Sequence, residues 1–342
     1  MSIMYHIIIL LIGLVFIVIS SGLFCNALEH FGMRLGISEG VTGSIFAAVG
    51  TALPETIIPI LAIASNTPGS SNHQISIGAI LGAPLMLSTL SIFLMAMSVI
   101  RLRGFKGKLT PEYSGITRDI KFFFFGYALA IVAIFVQSMK WHAVLNCVLA
   151  ILLGFSYFIY LLLTIKASAR LAANGYATQT TTKLFLSHFG IRTNQYSIVS
   201  QLILATLMLV YFADLFIDSV GTVATVFNFS PFLLALIIIP IATELPEKVN
   251  SILWIRQNKD TLAFGNITGA LVFQGTLLPL IGIVFTDWKL GSPIYLYGFG
   301  ITLLSVLWLY FNVCKKNLRV WHFSVNGLLY LLNFALCFAY WQ

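Results

Sequence analysis

Long apolar stretches separated by short polar segments run along the whole of this chain of 342 residues. Ten of them are long enough for a helix of about 20 residues, the length that crosses the hydrocarbon core of a bilayer. They fall at 4–28, 38–64, 75–100, 119–139, 141–165, 195–219, 230–255, 260–285, 292–313 and 320–341. The pattern therefore predicts an all-α polytopic membrane protein with ten transmembrane helices.

The longest polar segment divides these spans into two sets of five. It covers residues 166–194, so the sequence predicts a first membrane repeat over 1–165, a short cytoplasmic linker over 166–194, and a second membrane repeat over 195–342. The first apolar segment, Ile3–Phe24, has no basic residues before it and no small-residue cleavage site close behind it. We therefore expect it to be a retained membrane helix rather than a signal peptide.

Composition and charge support the membrane assignment and set the orientation. Only 9% of the residues are charged and 59% are hydrophobic, whereas soluble proteins carry about 25% charged residues. The net charge of +8 does not indicate nucleic-acid binding, because the basic residues lie in short loops between apolar spans. With the N-terminus outside, 16 of the 19 Lys and Arg residues fall on the inner side. The positive-inside rule thus predicts that both termini lie outside.

One short motif occurs in both halves, 192 residues apart. It reads Thr-Ala-Leu-Pro-Glu over 51–55 and Thr-Glu-Leu-Pro-Glu over 243–247. Beyond it the offset becomes 187, where Gly-Ala-Ile-Leu-Gly over 78–82 matches Gly-Asn-Ile-Thr-Gly over 265–269. Because five spans per half is an odd number, the second half enters the membrane from the opposite side. The two halves are therefore predicted to be inverted repeats, an arrangement found in many secondary transporters.

The motif places carboxylates inside membrane spans. A charged carboxylate at the bilayer centre costs roughly 2.5–3.5 kcal/mol, so Glu55 and Glu247 are candidate functional residues. The adjacent prolines break the helices and free backbone carbonyls that can bind a cation. We expect both glutamates to ligate a cation, with oxygens of Thr51 and Thr243 beside them. The alternative is that the glutamates bond backbone groups freed at the prolines and that each threonine bonds its own helix.

Two further charged residues surround the second copy. Glu244 and Lys248 are four residues apart and share one helix face. They can form an internal ion pair that cancels a buried charge. Alternatively, Glu244 contributes to the cation site while Lys248 acts as a proton carrier or a charge-balancing group, since burial lowers the proton affinity of a lysine. With Glu55 and Glu247 the four groups carry a net charge of −2, which suits one Ca²⁺ or two Na⁺.

These paired motifs resemble those of the cation/calcium exchanger superfamily, of which this chain looks like a divergent prokaryotic member. The resemblance implies two inverted five-helix repeats and a cation site at mid-membrane between the second, third, seventh and eighth spans. It also implies that Asn266 is a cation ligand; the alternative is that Asn266 forms an interhelical hydrogen bond. The chain departs from the family pattern at Ala79, which stands where the family has an amide or carboxylate ligand, and at Lys248, where an apolar residue is usual.

The resemblance implies a secondary antiporter that works by alternating access and exchanges Na⁺ for Ca²⁺. The alternatives are a proton-coupled exchanger of Ca²⁺ or of a monovalent cation (Na⁺/H⁺ or K⁺/H⁺), and a non-transporting ion-binding membrane protein. We expect no enzyme activity, because no histidine or other nucleophile stands near the carboxylates, and no cofactor. The expected partners are inorganic cations and the lipid of a plasma (inner) membrane, with no nucleic acid and no obligate protein partner.

Overall fold

A computed structural model describes residues 3–52, 56, 60, 72–137, 139–180, 182–226, 240, 244–288 and 294–341, and these are almost entirely helical. The helices of the first half are α1 (Ile3–Leu35), α2 (Glu39–Val41), α3 (Ala48–Thr51), α4 (Asn72–Met86), α5 (Ile92–Met97), α6 (Ile100–Arg103), α7 (Tyr113–Val136) and α8 (His142–Leu171). Those of the second half are α9 (Gln195–Val226), α10 (Leu245–Arg256), α11 (Asp260–Phe285), α12 (Ile294–Cys314) and α13 (Ser324–Trp341).

Wider or tighter helical turns connect or extend several of these helices. A π-helical turn over Thr42–Ala47 joins α2 to α3, and another over Leu87–Ser91 joins α4 to α5. A third π-helical turn, Ala172–Tyr176, follows α8, and 3₁₀ turns cover Phe185–Phe189 and Val320–Phe323. The first two π-helical turns carry Ser44 and Ser91, both of which contact carboxylates described below.

Eight of the described helical segments are long and apolar enough to cross a bilayer. They are Met4–Leu35, Ile77–Met97, Tyr113–Val136, His142–Tyr176, Gln195–Phe212, Asp260–Phe285, Leu296–Cys314 and Val320–Ala339. The second and seventh predicted spans lie partly outside the described residues. The count of ten and the outside position of both termini therefore stay predictions.

Several helix ends differ from those that the apolar pattern predicted, and α7 and α8 show the reason. Helix α7 begins at Tyr113 rather than at 119, because the Glu112 carboxylate caps it by accepting the backbone N–H groups of Ser114 and Gly115, each at 2.7 Å. Helix α8 continues to Leu171, six residues into the predicted linker. Hydropathy underestimated both helices, because the polar residues near their ends do not interrupt the helix.

Helix α11 lies at the centre of the molecule, and most of its residues are buried. Its glycines allow a close approach to the π-helical turn of the first half. A methyl group at Gly269 would clash with the backbone of Ser44, and a methyl group at Gly43 would stand 2.8 Å from the carbonyl oxygen of Leu262. The two halves thus meet with backbones nearly in contact, as small residues permit between membrane helices.

Helices α1 and α9, the first of each half, pack against each other at the periphery. The rings of Phe16 and Phe212 stack there with centroids 4.4 Å apart. Much of the α1 surface is apolar and exposed, for example at Leu11 and Val15. This apolar surface suits contact with lipid.

The connections on the predicted inner side also join the two halves. Two short antiparallel strands, β1 (Lys108–Leu109) and β2 (Leu318–Arg319), pair across the chain. Beside them the Arg103 guanidinium holds both oxygens of Asp260, at 2.7 and 2.8 Å. The first residue of α11 is thereby fixed to the end of α6.

The predicted linker is bound to the helices rather than hanging from them. The Asn26 amide donates to the Thr182 hydroxyl at 3.0 Å and to the Lys183 carbonyl at 3.1 Å. Its carbonyl oxygen accepts the Phe185 N–H and the Gln201 amide, each at 3.0 Å. One side chain of α1 thus joins the linker to α9.

Candidate cation site

The first copy of the motif begins where helix α3 ends. Thr51 is the last residue of α3, and it is buried together with Ala52. Its hydroxyl donates to the carbonyl oxygen of Ala47 at 2.9 Å, so its own lone pairs remain available as acceptors. Glu55 in the first copy and Thr243 in the second lie outside the described residues, so their predicted roles stay predictions.

Glu247 lies in the first turn of helix α10. Pro246 stands at the start of this helix, where its missing N–H costs nothing, so the proline begins the helix instead of kinking it. The Glu247 side chain has no solvent exposure, and its carboxylate lies beside the Thr51 hydroxyl. Within the described part of the chain, neither carboxylate oxygen accepts a hydrogen bond. Oxygens of the two motif copies therefore lie beside each other.

Asn266 lies on α11 against the first turns of α10. Its amide nitrogen donates to the backbone carbonyl of Glu247 at 3.1 Å and to the Ser251 hydroxyl at 2.9 Å. A backbone carbonyl can only accept, so this contact fixes which end of the amide is the donor. The Asn266 carbonyl oxygen is buried and, among the described residues, has no donor. Asn266 is thus the third residue, after Glu247 and Thr51, with an oxygen available to a cation.

Asn250 and Ser251 share a face of α10 with Glu247 and were not among the predicted site residues. Both are fully buried. Ser251 receives the Asn266 amide, and Asn250 accepts the Cys25 thiol of α1 at 3.2 Å. Their positions three and four residues after Glu247 were a signal, since such residues lie on one side of a helix.

Glu244 has a different environment from Glu247. The Ser91 hydroxyl lies 3.3 Å from its Oε2 atom, and the Gln274 amide lies 3.4 Å from its Oε1 atom. Lys248 Nζ lies 4.0 Å from Oε2, and both side chains are buried, so the predicted ion pair is present. Each oxygen of Glu244 thus has a protein partner.

The two carboxylates on this turn are therefore suited to different tasks. Glu247 lies beside the Thr51 hydroxyl and in contact with Asn266 through its backbone, whereas Glu244 is paired with Lys248. A cluster of three or more His, Cys, Asp or Glu side chains does not occur in the part of the chain that the structure describes. Carboxylate, amide and hydroxyl oxygens are the ligands that Na⁺ and Ca²⁺ favour.

The family model described as sodium/calcium exchanger protein matches residues 5–166 and 197–340. The chain belongs to the sodium/calcium exchanger family. It is a multi-pass membrane protein of a family of cation antiporters. The match extends over both predicted repeats, and the segment between its two parts falls within or next to the predicted linker.

Two bacterial proteins are similar in sequence to this exchanger-family protein. The chain is 22% identical over 295 residues to the inner membrane protein YrbG of Escherichia coli. The aligned segment covers 86% of this chain and 84% of YrbG. A segment of 82 residues, 24% of this chain and 25% of the relative, is 35% identical to CaxA of Alkalimonas amylolytica.

The fold is similar to that of the sodium-calcium exchanger NCX_Mj. A structure of that protein soaked with Na⁺ and Ca²⁺ has a TM-score of 0.72 and 19% identity, over 98% of this chain and 99% of the other. A second NCX_Mj structure, soaked with Na⁺ and without Ca²⁺, has a TM-score of 0.70 and 21% identity, with the same coverage. At this identity the similarity establishes the fold of this family member, and the ion site rests on its own residues.

Proposed function

We propose that this protein is a secondary antiporter that exchanges Na⁺ for Ca²⁺ by alternating access. The observation that carries the proposal is the Glu247 carboxylate, which is fully buried and, among the described residues, accepts no hydrogen bond. An uncompensated buried charge costs several kcal/mol, so the resting protein needs a bound cation or a proton there. A group with this requirement suits a site that binds and releases ions.

The ligands that we propose come from both halves. Glu247 and Asn266 supply carboxylate and amide oxygens from the second half, and Thr51 supplies a hydroxyl from the first. We further propose that Glu55 and Thr243 complete the set. The fold match to NCX_Mj and the family match support this arrangement at the level of architecture.

Charge balance supports either one divalent or two monovalent cations. Glu55, Glu244 and Glu247 carry three negative charges, and Lys248 carries one positive charge, which leaves −2. Binding of one Ca²⁺ or of two Na⁺ neutralises this charge, so one Ca²⁺ can replace two Na⁺ at the site. The inner-membrane name of YrbG supports placing this protein in the plasma (inner) membrane of a prokaryote.

Proton-coupled exchange of Ca²⁺ or of a monovalent cation is the second candidate function. It is favoured by the buried Glu244–Lys248 pair, which stands one turn from the cation ligands at a nitrogen–oxygen distance of 4.0 Å. A proton lost from Lys248 would leave Glu244 as an additional anionic ligand. In that case K248M removes the pH dependence of transport and leaves cation binding intact.

The test uses purified protein in sealed liposomes, with ⁴⁵Ca²⁺ outside and an outward Na⁺ gradient. We expect uptake that disappears when the Na⁺ gradient is collapsed, and we expect E247Q to abolish it. E112Q is the matched control, because Glu112 is also buried but caps α7 away from the site. Uptake by E247Q at the wild-type rate would overturn the proposed site. Uptake that follows a pH gradient and ignores Na⁺ would transfer the assignment to proton coupling.

A further inference from the structure

A further buried carboxylate lies beside the central helix α11 and has no role in the site described above. Asp119 is on α7 and has no solvent exposure. It stands six residues after the start of α7, which is about 9 Å along the helix from its predicted inner end. A carboxylate within a membrane helix requires a specific partner or a function.

The partners of Asp119 come from both halves of the protein. Its Oδ2 atom accepts the Ser44 hydroxyl at 2.9 Å and the Thr268 hydroxyl at 2.6 Å. Ser44 lies in the π-helical turn of the first half, and Thr268 lies on α11 of the second. These two elements are the ones whose backbones meet at Gly269. The Asp119 carboxylate thus holds the crossing between the two halves.

The Thr268 hydroxyl can be shared in two ways. Its oxygen lies 2.6 Å from Asp119 Oδ2 and also 3.0 Å from the carbonyl oxygen of Phe264, but it carries a single hydrogen. When Asp119 is ionised, that hydrogen points to Oδ2. When Oδ2 is protonated, it donates to the Thr268 oxygen, and the threonine hydrogen turns to the Phe264 carbonyl. Both protonation states therefore fit the same heavy-atom positions.

The surroundings permit a proton to bind there. The charged or titratable neighbours are Arg118 on the same helix and Tyr160 on α8, with Tyr157 behind it. The packed elements of the crossing supply hydroxyls, from Ser44 and Thr268, rather than charges. The second oxygen of Asp119, Oδ1, is buried and accepts no hydrogen bond within the described residues.

Asp119 is separate from the candidate cation site. Thr268 follows Asn266 by two residues, which turns it about 200° around α11. The cation ligand and the threonine thus point to opposite sides of the same helix. Asp119 bonds to Thr268 rather than to Asn266, so it contacts the helix that carries Asn266 on the side away from that residue.

We propose that Asp119 is a proton-binding residue of the transport core, which exchanges one proton with the predicted inner side and couples its charge to the crossing of α11 with the first half. Its partner in this exchange is water, and Thr268 only reorients its hydroxyl. The inference rests on the proposed antiport function for its consequence in transport. The proton-binding step itself stands independently of it.

Infrared difference spectroscopy of the purified protein tests the proton-binding step directly. We compare spectra taken at about pH 5 and about pH 8, with aspartate labelled at its carboxyl carbon to separate Asp from Glu bands. The expected result is a carboxylic-acid carbonyl band in the wild type that is lost in D119N, an isosteric change that can still accept from Ser44 and Thr268. E112Q is the control and should retain the band. A band of unchanged intensity in D119N overturns the proposal.

A second variant keeps the test decisive if D119N does not fold. T268V removes one hydroxyl at constant shape, so the pH midpoint of the Asp119 band should move relative to the wild type. An unmoved midpoint overturns the proposal.

Flux of ⁴⁵Ca²⁺ in liposomes distinguishes failure of the proton site from failure of the proposed transport function. One titrating group changes a transport rate by up to about tenfold per pH unit. We expect D119N to lose the part of the pH dependence of ⁴⁵Ca²⁺ flux that arises from Asp119. A wild-type profile in D119N overturns the coupling. If the wild type moves no Ca²⁺ while the Asp119 band is present, the proposed transport function fails and the proton site stands.

Discussion

The buried ion pair between Glu244 and Lys248 supports a quantitative prediction about stability. Lys248 Nζ and Glu244 Oε2 are 4.0 Å apart, and neither side chain is more than 5% exposed. At an effective dielectric constant of about 20, two unit charges at this distance attract by about 4 kcal/mol. Removing one member of such a pair costs about 3–5 kcal/mol, because the remaining charge stays buried.

The perturbation is K248M, which keeps the length of the side chain and removes its charge. For 342 residues the entropy of unfolding is about 0.7 kcal/mol per kelvin, so a loss of about 4 kcal/mol lowers the melting temperature by about 6 °C. The double variant K248M/E244Q removes both charges and keeps an acceptor for Ser91. We expect it to recover most of the loss, since neutral replacement of a buried pair is often tolerated.

The assay is thermal unfolding in detergent, followed by tryptophan fluorescence, with monodispersity checked by size-exclusion chromatography. K140M is the control, because Lys140 is exposed. A single variant that melts within about 1 °C of the wild type would refute the reasoning. So would a double variant that melts as low as the single one, because the loss would then arise from packing rather than from an unpaired charge.

Three other substitutions test the packing of the fold. G269A should lower the melting temperature markedly, because its methyl group meets the Ser44 backbone, whereas G300A, which has open space, should leave it unchanged or slightly raised. N26A should speed trypsin cleavage after Lys183 at least about threefold, because it removes four hydrogen bonds to the linker and α9. The control variant N317A should leave the cleavage rate unchanged. Equal cleavage rates in N26A and the wild type would contradict the bound linker. R103K should lower the free energy of unfolding by about 1–3 kcal/mol, because lysine cannot hold both oxygens of Asp260. R101K, at an exposed position, should lower it by less than about 0.5 kcal/mol. Similar melting temperatures for R103K and R101K would exclude the bidentate contact.

The order of residues along the chain is enough to predict the membrane class, the two matching halves and one feature of the site. Apolar stretches of about 20 residues predict membrane helices, because the bilayer imposes that length on any helix. The spacing of Glu244 and Lys248 predicts their ion pair, because residues four apart share a helix face. Both features are local, so the order of residues along the chain is enough to find them.

Only the tertiary structure decided which carboxylate keeps its oxygens available. Glu244 and Glu247 lie on either side of the same proline, and the sequence does not show which distant donors reach each of them. Ser91 lies 153 residues before Glu244 and Gln274 lies 30 residues after it, yet both reach its carboxylate, while the described residues give Glu247 no donor. Asp119 stands at the first position of a predicted span, and the sequence gives it no partner. In the folded protein it bonds to Ser44 and Thr268, which are 75 and 149 residues away. Hydropathy and periodicity describe one segment at a time, and a buried charge is satisfied by whichever distant segments pack against it.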